Sequence, residues 1–328
     1  MKVELIKRNK LDTDLWDECI NTSPQSLLFA HSWYLDIVAP DWWGVVVQEH
    51  NKYVWVMPFP VYQKAHRLFI KMPLFTPELG YFSTLEQPER FLKEAITLIQ
   101  NHIPYCIEYI GNSNGEYPDF HSGEDLSIHL SEGYDTIFSS FSKSKKKNIR
   151  QSIKRNQEVQ LDQNIDGFLQ LFNQFTLPKI GVTDNREINA FLRKILPALV
   201  KRKKVRIYSI YDQKNQIEAS SIFIHHHSRW QYFLNTADPK KKKQHGRLLI
   251  FNQFLQEEKL NTNPLHLGTY IKMPSSTAQY EHEVRRHFEQ LTQKKVDVPY
   301  IKWNNLPWYI NLPHQIKRFI FKNVLRRN

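Results

Sequence analysis

Three β-rich runs stand almost back to back in the second half of this chain: Val205 to Tyr211, Ile217 to His226 and Trp230 to Thr236. Their links, Asp212-Gln213-Lys214-Asn215 and His227-Ser228-Arg229, are far too short for a crossover, so the three must lie as antiparallel neighbours. The pattern then alternates. A basic loop from Lys240 to Gly246 leads to a helix from Arg247 to Glu258, a strand near Leu265 to Leu267, a helix from Ser275 to Glu289 and a strand from Val298 to Trp303. Helical segments precede the run at Tyr134 to Phe141, Lys145 to Asn156, Ile165 to Phe175 and Glu187 to Arg202.

The first hundred residues read as α+β. A strand at Val3-Glu4-Leu5-Ile6 leads to a helix that Asp12 or Asp14 can cap, and a second helix spans Ser32 to Val38. His50-Asn51-Lys52 joins the β-rich runs Gly44 to Gln48 and Tyr53 to Phe59 into a hairpin. Pro58, Pro60, Pro73 and Pro77 then cut the chain into short extended pieces, before a helix at Phe91 to Ile99 and a strand at Cys106 to Ile110. The loop from Gly111 to Asp125, rich in Gly, Ser, Asn and Asp, is the natural boundary. It divides the 328 residues into 1–125 and 126–312, with a tail at 313–328.

Three antiparallel strands followed by helix, strand, helix, strand is the core order of the GNAT acetyltransferase fold, and the chain resembles the FemAB-like branch of that superfamily. The resemblance rests on Ser144-Lys145-Lys146-Lys147-Asn148-Ile149-Arg150, on Gln244-His245-Gly246-Arg247-Leu248-Leu249, and on Tyr300-Ile301-Lys302 with Asn305-Leu306-Pro307-Trp308. In the first half it rests on Met57-Pro58-Phe59-Pro60 and Pro73-Leu74-Phe75-Thr76-Pro77-Glu78-Leu79-Gly80. It implies an α+β, mixed-sheet architecture of tandem GNAT-like domains, the first degenerate. It also implies an N-acyltransferase that moves an acyl group from acyl-CoA, such as acetyl-CoA, to an amine, with a cell-envelope precursor among the acceptors. FemAB-type enzymes draw instead on aminoacyl-tRNA, which is the alternative donor. One departure stands out. Where the family carries an acidic Asp-Phe-Glu-Gly-Ser-like stretch, this chain has Leu265-His266-Leu267-Gly268-Thr269, which keeps a glycine and a hydroxyl but neither carboxylate. A non-catalytic binding or scaffold protein is the reading from a different class.

Candidate residues follow. Lys243, Gln244, His245, Gly246 and Arg247 open a helix, where unpaired N–H groups and the positive end of the dipole suit the phosphates of acyl-CoA. Gly246 would let the backbone approach. Acyl transfer also needs proton acceptors and donors, and Tyr270, Tyr232 and Glu281 are the catalytic candidates, with His266 and Tyr280 behind them. Asn235, Lys147 and Arg150 are the candidate substrate contacts, the last two belonging to a basic helix that could track the phosphates of a tRNA. The same helix has a simpler reading as a solvated face that buries only Ile149 and Ile153. Gly111-Asn112-Ser113-Asn114-Gly115 fits a nucleophile elbow, but no helix pattern follows it, so it reads as a turn. In His225-His226-His227 neighbouring side chains point to opposite faces, and no metal site is expected.

The formal charge of +12 is uneven. From Val298 onward there is no Asp or Glu against six Lys and Arg, and Ile316, Phe319, Ile320 and Val324 share one helical side of a basic amphipathic tail. Such a helix can dock on the domain or lie on an anionic membrane. Cys19 and Cys106 cannot build a disulfide framework or a Cys-based zinc site, and the opening residues lack an apolar signal core. A cytoplasmic protein is expected, with peripheral contact at the inner membrane face if the tail binds lipid.

Overall fold

The computed structural model describes residues 1–307 apart from 156, 183, 228 and 270–277, and only the backbone at 242–244 and 278. The basic tail and Tyr270 therefore lie outside the described residues. The chain opens with β1 (Val3–Lys7), α1 (Thr13–Thr22) and α2 (Ser32–Val38). The Asp12 side chain caps α1 by accepting from Asp14 N and Leu15 N. The hairpin β2 (Trp43–Glu49) and β3 (Lys52–Phe59) turns at His50 and Asn51, both at positive φ. Short strands β4 (Val61–Lys64), β5 (Arg67–Ile70) and β6 (Phe82–Ser83) follow, as the prolines require, before α3 (Leu92–His102), β7 (Tyr105–Ile110) and β8 (His121–His129).

The second half comprises α4 (Tyr134–Ser140), α5 (Lys143–Ile153), β9 (Gln160–Asp162), α6 (Ile165–Leu171), α7 (Arg186–Lys201), β10 (Val205–Tyr211), β11 (Ile217–His226) and β12 (Arg229–Ala237). It ends with α8 (Gly246–Glu257), β13 (Pro264–His266), α9 (Ala278–Glu289) and β14 (Lys295–Asn304). β10, β11 and β12 are consecutive antiparallel neighbours, as their short links demand. Both halves run strand, two helices, antiparallel strands, helix, strand. The first half has a loop where the second has α9 before its final strand.

The two halves exchange strands. A small sheet has the order β1-β2-β3-β6, and a long one the order β4-β5-β7-β14-β8-β13-β12-β11-β10-β9. β14, the last strand of the second half, lies antiparallel between β7 and β8, while β8 fills the place between β14 and β13. Residues 125 and 126, where the sequence reading divides the chain, are consecutive in β8. Neither half can complete its backbone hydrogen bonding without a strand from the other.

Side chains alternate across the sheet. Phe223, Trp230, Tyr232 and Leu265 pack towards α8 and α9, with Phe223 stacked on Phe254 at 3.9 Å between centroids. Ile222, Ile224 and Phe233 face the other way, where α6, α7 and the first half share one core.

Candidate functional site

The parallel strands β12 and β13 part almost as soon as they meet. They pair only at Trp230 with Leu265 and Gln231 with His266, after which β13 ends while β12 runs on to Ala237. A bulge falls at the parting point: Tyr232 pairs with Phe223 and Leu234 with Ile222, which leaves Phe233 without a partner on β11. A cleft therefore opens between the far end of β12 and the turn at Gly268 and Thr269.

The first half closes one side of this cleft. Phe75, held at φ +61, presents its ring to Phe233 at 5.9 Å between centroids. Positive φ is costly for a bulky residue, and here the Tyr34 hydroxyl donates to the Phe75 carbonyl at 2.5 Å and holds the strained peptide. Three residues on, buried Glu78 accepts from Arg229 of β12 at 3.2 Å, and from Ser113 N at 2.8 Å. Burial alone would raise the Glu78 carboxyl, but Arg229 and the Ser113 N–H hold it below its ordinary range.

Asp125 of β8 enters the same junction. It is 3% exposed and takes hydrogen bonds from Leu126 N at 2.8 Å, Gly268 N at 3.1 Å, Thr269 N at 2.6 Å and the Thr269 hydroxyl at 2.7 Å. Burial pushes its carboxyl up despite these bonds. His266 Nδ1 lies 4.0 Å from both Glu78 and Asp125, and burial, then Arg229, pull this imidazole down to about 3, so it is neutral. The carboxylates missing from the 265–269 stretch are thus supplied around it by the first half.

Cations gather at the other side of the cleft, where α8 begins. His245 precedes the helix in the left-handed region; its carbonyl accepts from Leu248 N and Leu249 N, and its side chain caps neither Gly246 N nor Arg247 N. Lys145 of α5 is 7% exposed, and its ammonium lies 2.7 Å from His287 Nδ1 of α9. Burial, and then Arg247, draw Lys145 down to about 8. The His287 ring is lowered by burial, then by Lys145 and Arg247, although the residue as a whole is exposed. Arg247 donates to Asn235 Oδ1 of β12 at 2.8 Å. No carboxylate among the described residues pairs with Lys145, and neither 270–277 nor 308–328 contains Asp or Glu. An uncompensated buried ammonium beside a guanidinium and a helix N-terminus is a site for an anion.

Comparison with known proteins bears on this arrangement. The family model described as an acetyltransferase (GNAT) domain matches residues 143–257, from the first residue of α5 to the last of α8. That segment is a GNAT domain. The crystal structure of FemX superposes with a TM-score of 0.60 at 10% identity, covering 95% of this chain and 99% of that one. A conserved protein of unknown function from Bacteroides thetaiotaomicron gives 0.56 at 11% identity, covering 89% and 97%. At such identities the likeness is one of fold. It extends over both halves and agrees with the resemblance read from the sequence. No curated protein matches the sequence at a significant level.

Within the GNAT domain and its surroundings, the structure brings His245, Gly246, Arg247 and Asn235 together at the cleft. Gly246 has a different reason from the one expected. It faces the sheet, where a Cβ would stand 2.7 Å from Ala219 Cβ, so the glycine permits helix-on-sheet packing rather than phosphate approach. The backbone of Lys243 and Gln244 lies in the 3-10 turn Pro239–Gln244, while their side chains and the whole of Tyr270 fall outside the described residues. Tyr232 is buried with its hydroxyl 3.1 Å from Ser221 Oγ, on the α8 side of the sheet. Glu281 lies on α9.

Lys147 and Arg150 are exposed on the outer face of α5, away from the cleft. The expected burial of Ile149 and Ile153 is half right, since Ile153 is 50% exposed and Lys145 takes the inner position. Lys145, His287, Glu78 and Asp125 were not among the candidate residues. Only Lys145 left a local trace: it lies four residues before Ile149, on the same helical face. Ser113 and the histidine run also find places. Ser113 Oγ bonds Glu78 in a turn, and no group of three metal-ligating side chains occurs among the described residues.

Proposed function

We propose that the chain is an N-acyltransferase that takes an acyl group from acyl-CoA and passes it to an amine. The observation that carries the reading is the uncompensated cation set at the start of α8, Lys145 with Arg247, set against the cleft where β12 and β13 part. A phosphate-bearing donor would meet the helix N-terminus and these cations, while its acyl arm would follow β12 to the bulge at Phe233. The thioester would then lie between Phe233 and the Gly268–Thr269 turn, with the first-half loop at Phe75 and Glu78 as the wall on the acceptor side. In this reading the two halves, 1–125 and 126–312, form one site.

Thermal denaturation with CoA tests the donor. At a hundredfold excess over its dissociation constant, CoA should stabilise the folded chain by about 2.7 kcal/mol and raise Tm. Absence of any shift with CoA or acetyl-CoA would count against the donor and for the scaffold reading. Aminoacyl-tRNA as donor is favoured by one feature, the exposed Lys147 and Arg150 on α5. It predicts tRNA binding that weakens steeply with salt and is lost when those two side chains are neutralised.

A further inference from the structure

The buried carboxylate of Asp125 lies outside the matched segment 143–257, on β8, the strand that crosses from one half to the other. It meets the chain where the cleft is made. Asp125 Oδ1 accepts from Leu126 N, Thr269 N and the Thr269 hydroxyl, and Oδ2 accepts from Gly268 N. Thr269 is half-buried, so one side of its hydroxyl group faces the protein and the residue retains access to solvent. The Leu126 N–H also points at this hydroxyl oxygen, at 3.2 Å. A threonine hydroxyl that donates to a buried carboxylate at 2.7 Å, beside the position proposed above for the thioester, is arranged to receive one proton while giving up another.

We propose that Thr269 and Asp125 form the proton shuttle of the transfer, with the first half supplying the base in place of a carboxylate in the GNAT domain. This rests on the acyltransferase reading. The amine lone pair attacks the thioester carbonyl carbon, the C–N bond forms and the C–S bond breaks with the electron pair leaving on sulfur. The amine proton passes to Thr269 Oγ1 as the Thr269 hydroxyl proton passes to Asp125 Oδ1. That proton returns through the Thr269 hydroxyl to solvent, which protonates the thiolate, so amine and thioester become amide and thiol. Thr269 is the catalytic residue, and Asp125 acts through it.

The groups facing Asp125 suit the task. Glu78 opposes a second negative charge nearby and so favours proton uptake, while neutral His266 and the ion pair of Arg229 with Glu78 complete the surroundings. Asp125 is held by main-chain donors as well as by Thr269, so its position survives loss of the hydroxyl.

Thiol release from acetyl-CoA, measured with a panel of primary amines, tests the shuttle alongside the CoA-induced Tm shift. Thr269→Val and Asp125→Asn should lower kcat by about a hundredfold with the donor KM little changed. Thr269→Ser should restore most of the rate, and the acidic limb of the kcat profile should vanish in Asp125→Asn. A wild-type chain with no CoA shift overturns the donor reading. A CoA shift in the wild type with undiminished turnover in both variants overturns the shuttle alone. A wild-type chain that binds CoA but releases no thiol with any amine overturns the acyltransferase reading and the shuttle with it, whereas an Asp125→Asn variant that loses the CoA shift as well overturns the shuttle alone.

Discussion

Acid should unfold this protein early, and the reason is a pair of imidazoles buried without charge. His226 of β11 lies where the two halves meet. Its Nε2 is 3.4 Å from His31 Nε2 and 3.1 Å from Ser26 Oγ, and its Nδ1 has no hydrogen-bond partner among the described residues. Burial, and then His31, bring it down to about 2, while His266 stands at about 3. Both residues are almost fully buried, at 7% and 3% exposure. In the unfolded chain each imidazole takes up a proton below about pH 6.5, whereas in the folded chain neither does until about pH 3.

The sign follows from linkage. A group whose folded pKa is depressed contributes stability that is whole above its unfolded pKa and drains away as pH falls towards the folded one. Between pH 7 and pH 5 each histidine removes about 2 kcal/mol, so the pair removes about 4, a large share of a total near 5–15 kcal/mol. Glu78, lowered, and Asp125, raised, act in opposite senses. Urea denaturation at pH 7, 6 and 5 measures the slope. His226→Gln should weaken the pH dependence by about one proton, whatever it does to stability at pH 7. An unchanged slope in His226→Gln would refute the reasoning, because it would mean that the folded chain already protonates that imidazole.

Lys145→Met should separate stability from binding: it removes a buried ammonium with no carboxylate partner, so Tm without ligand should hold or rise, while CoA affinity falls about tenfold. Titration calorimetry and thermal denaturation read the two effects. Gly246→Ala should cost about 1–3 kcal/mol, since the added Cβ has 2.7 Å to Ala219 Cβ, and chemical denaturation should show it even in the absence of CoA. Glu78→Ala strands the Arg229 guanidinium at 5% side-chain exposure between the halves, and a loss of about 3–5 kcal/mol is expected in the same assay.

Local pattern made much of the architecture legible. The antiparallel order of β10, β11 and β12 follows from links too short for any other arrangement, and the alternation of helix and strand after them follows from apolar spacing. The cap at Asp12 or Asp14, the hairpin at His50 and Asn51 and, to within one residue, the helix start after the basic loop were legible for the same reason, since each depends on residues within one turn of chain. The cation set was half legible. Arg247 announces itself at a helix start, but charge pattern alone assigns Lys145 to the solvent, and only packing against α9 puts its ammonium beside His287.

Chemistry in the amino-acid sequence by itself determined most of the segments that become strands and helices, though not β8, which begins inside the stretch that reads as the loop 111–125, nor β9, and it determined where a helix N-terminus with basic residues would stand. Tertiary structure decided the rest, because those contacts join residues that share no local signal. β14 pairs between β7 and β8, and β8 between β14 and β13, by backbone hydrogen bonds that any side-chain pattern of suitable length could satisfy. That exchange delivers Asp125 to Thr269, and the loop at 73–80 delivers Glu78 to Arg229 and His266. A stretch that reads as stripped of its carboxylates is therefore surrounded by two of them, since burial and charge act through space and not along the chain.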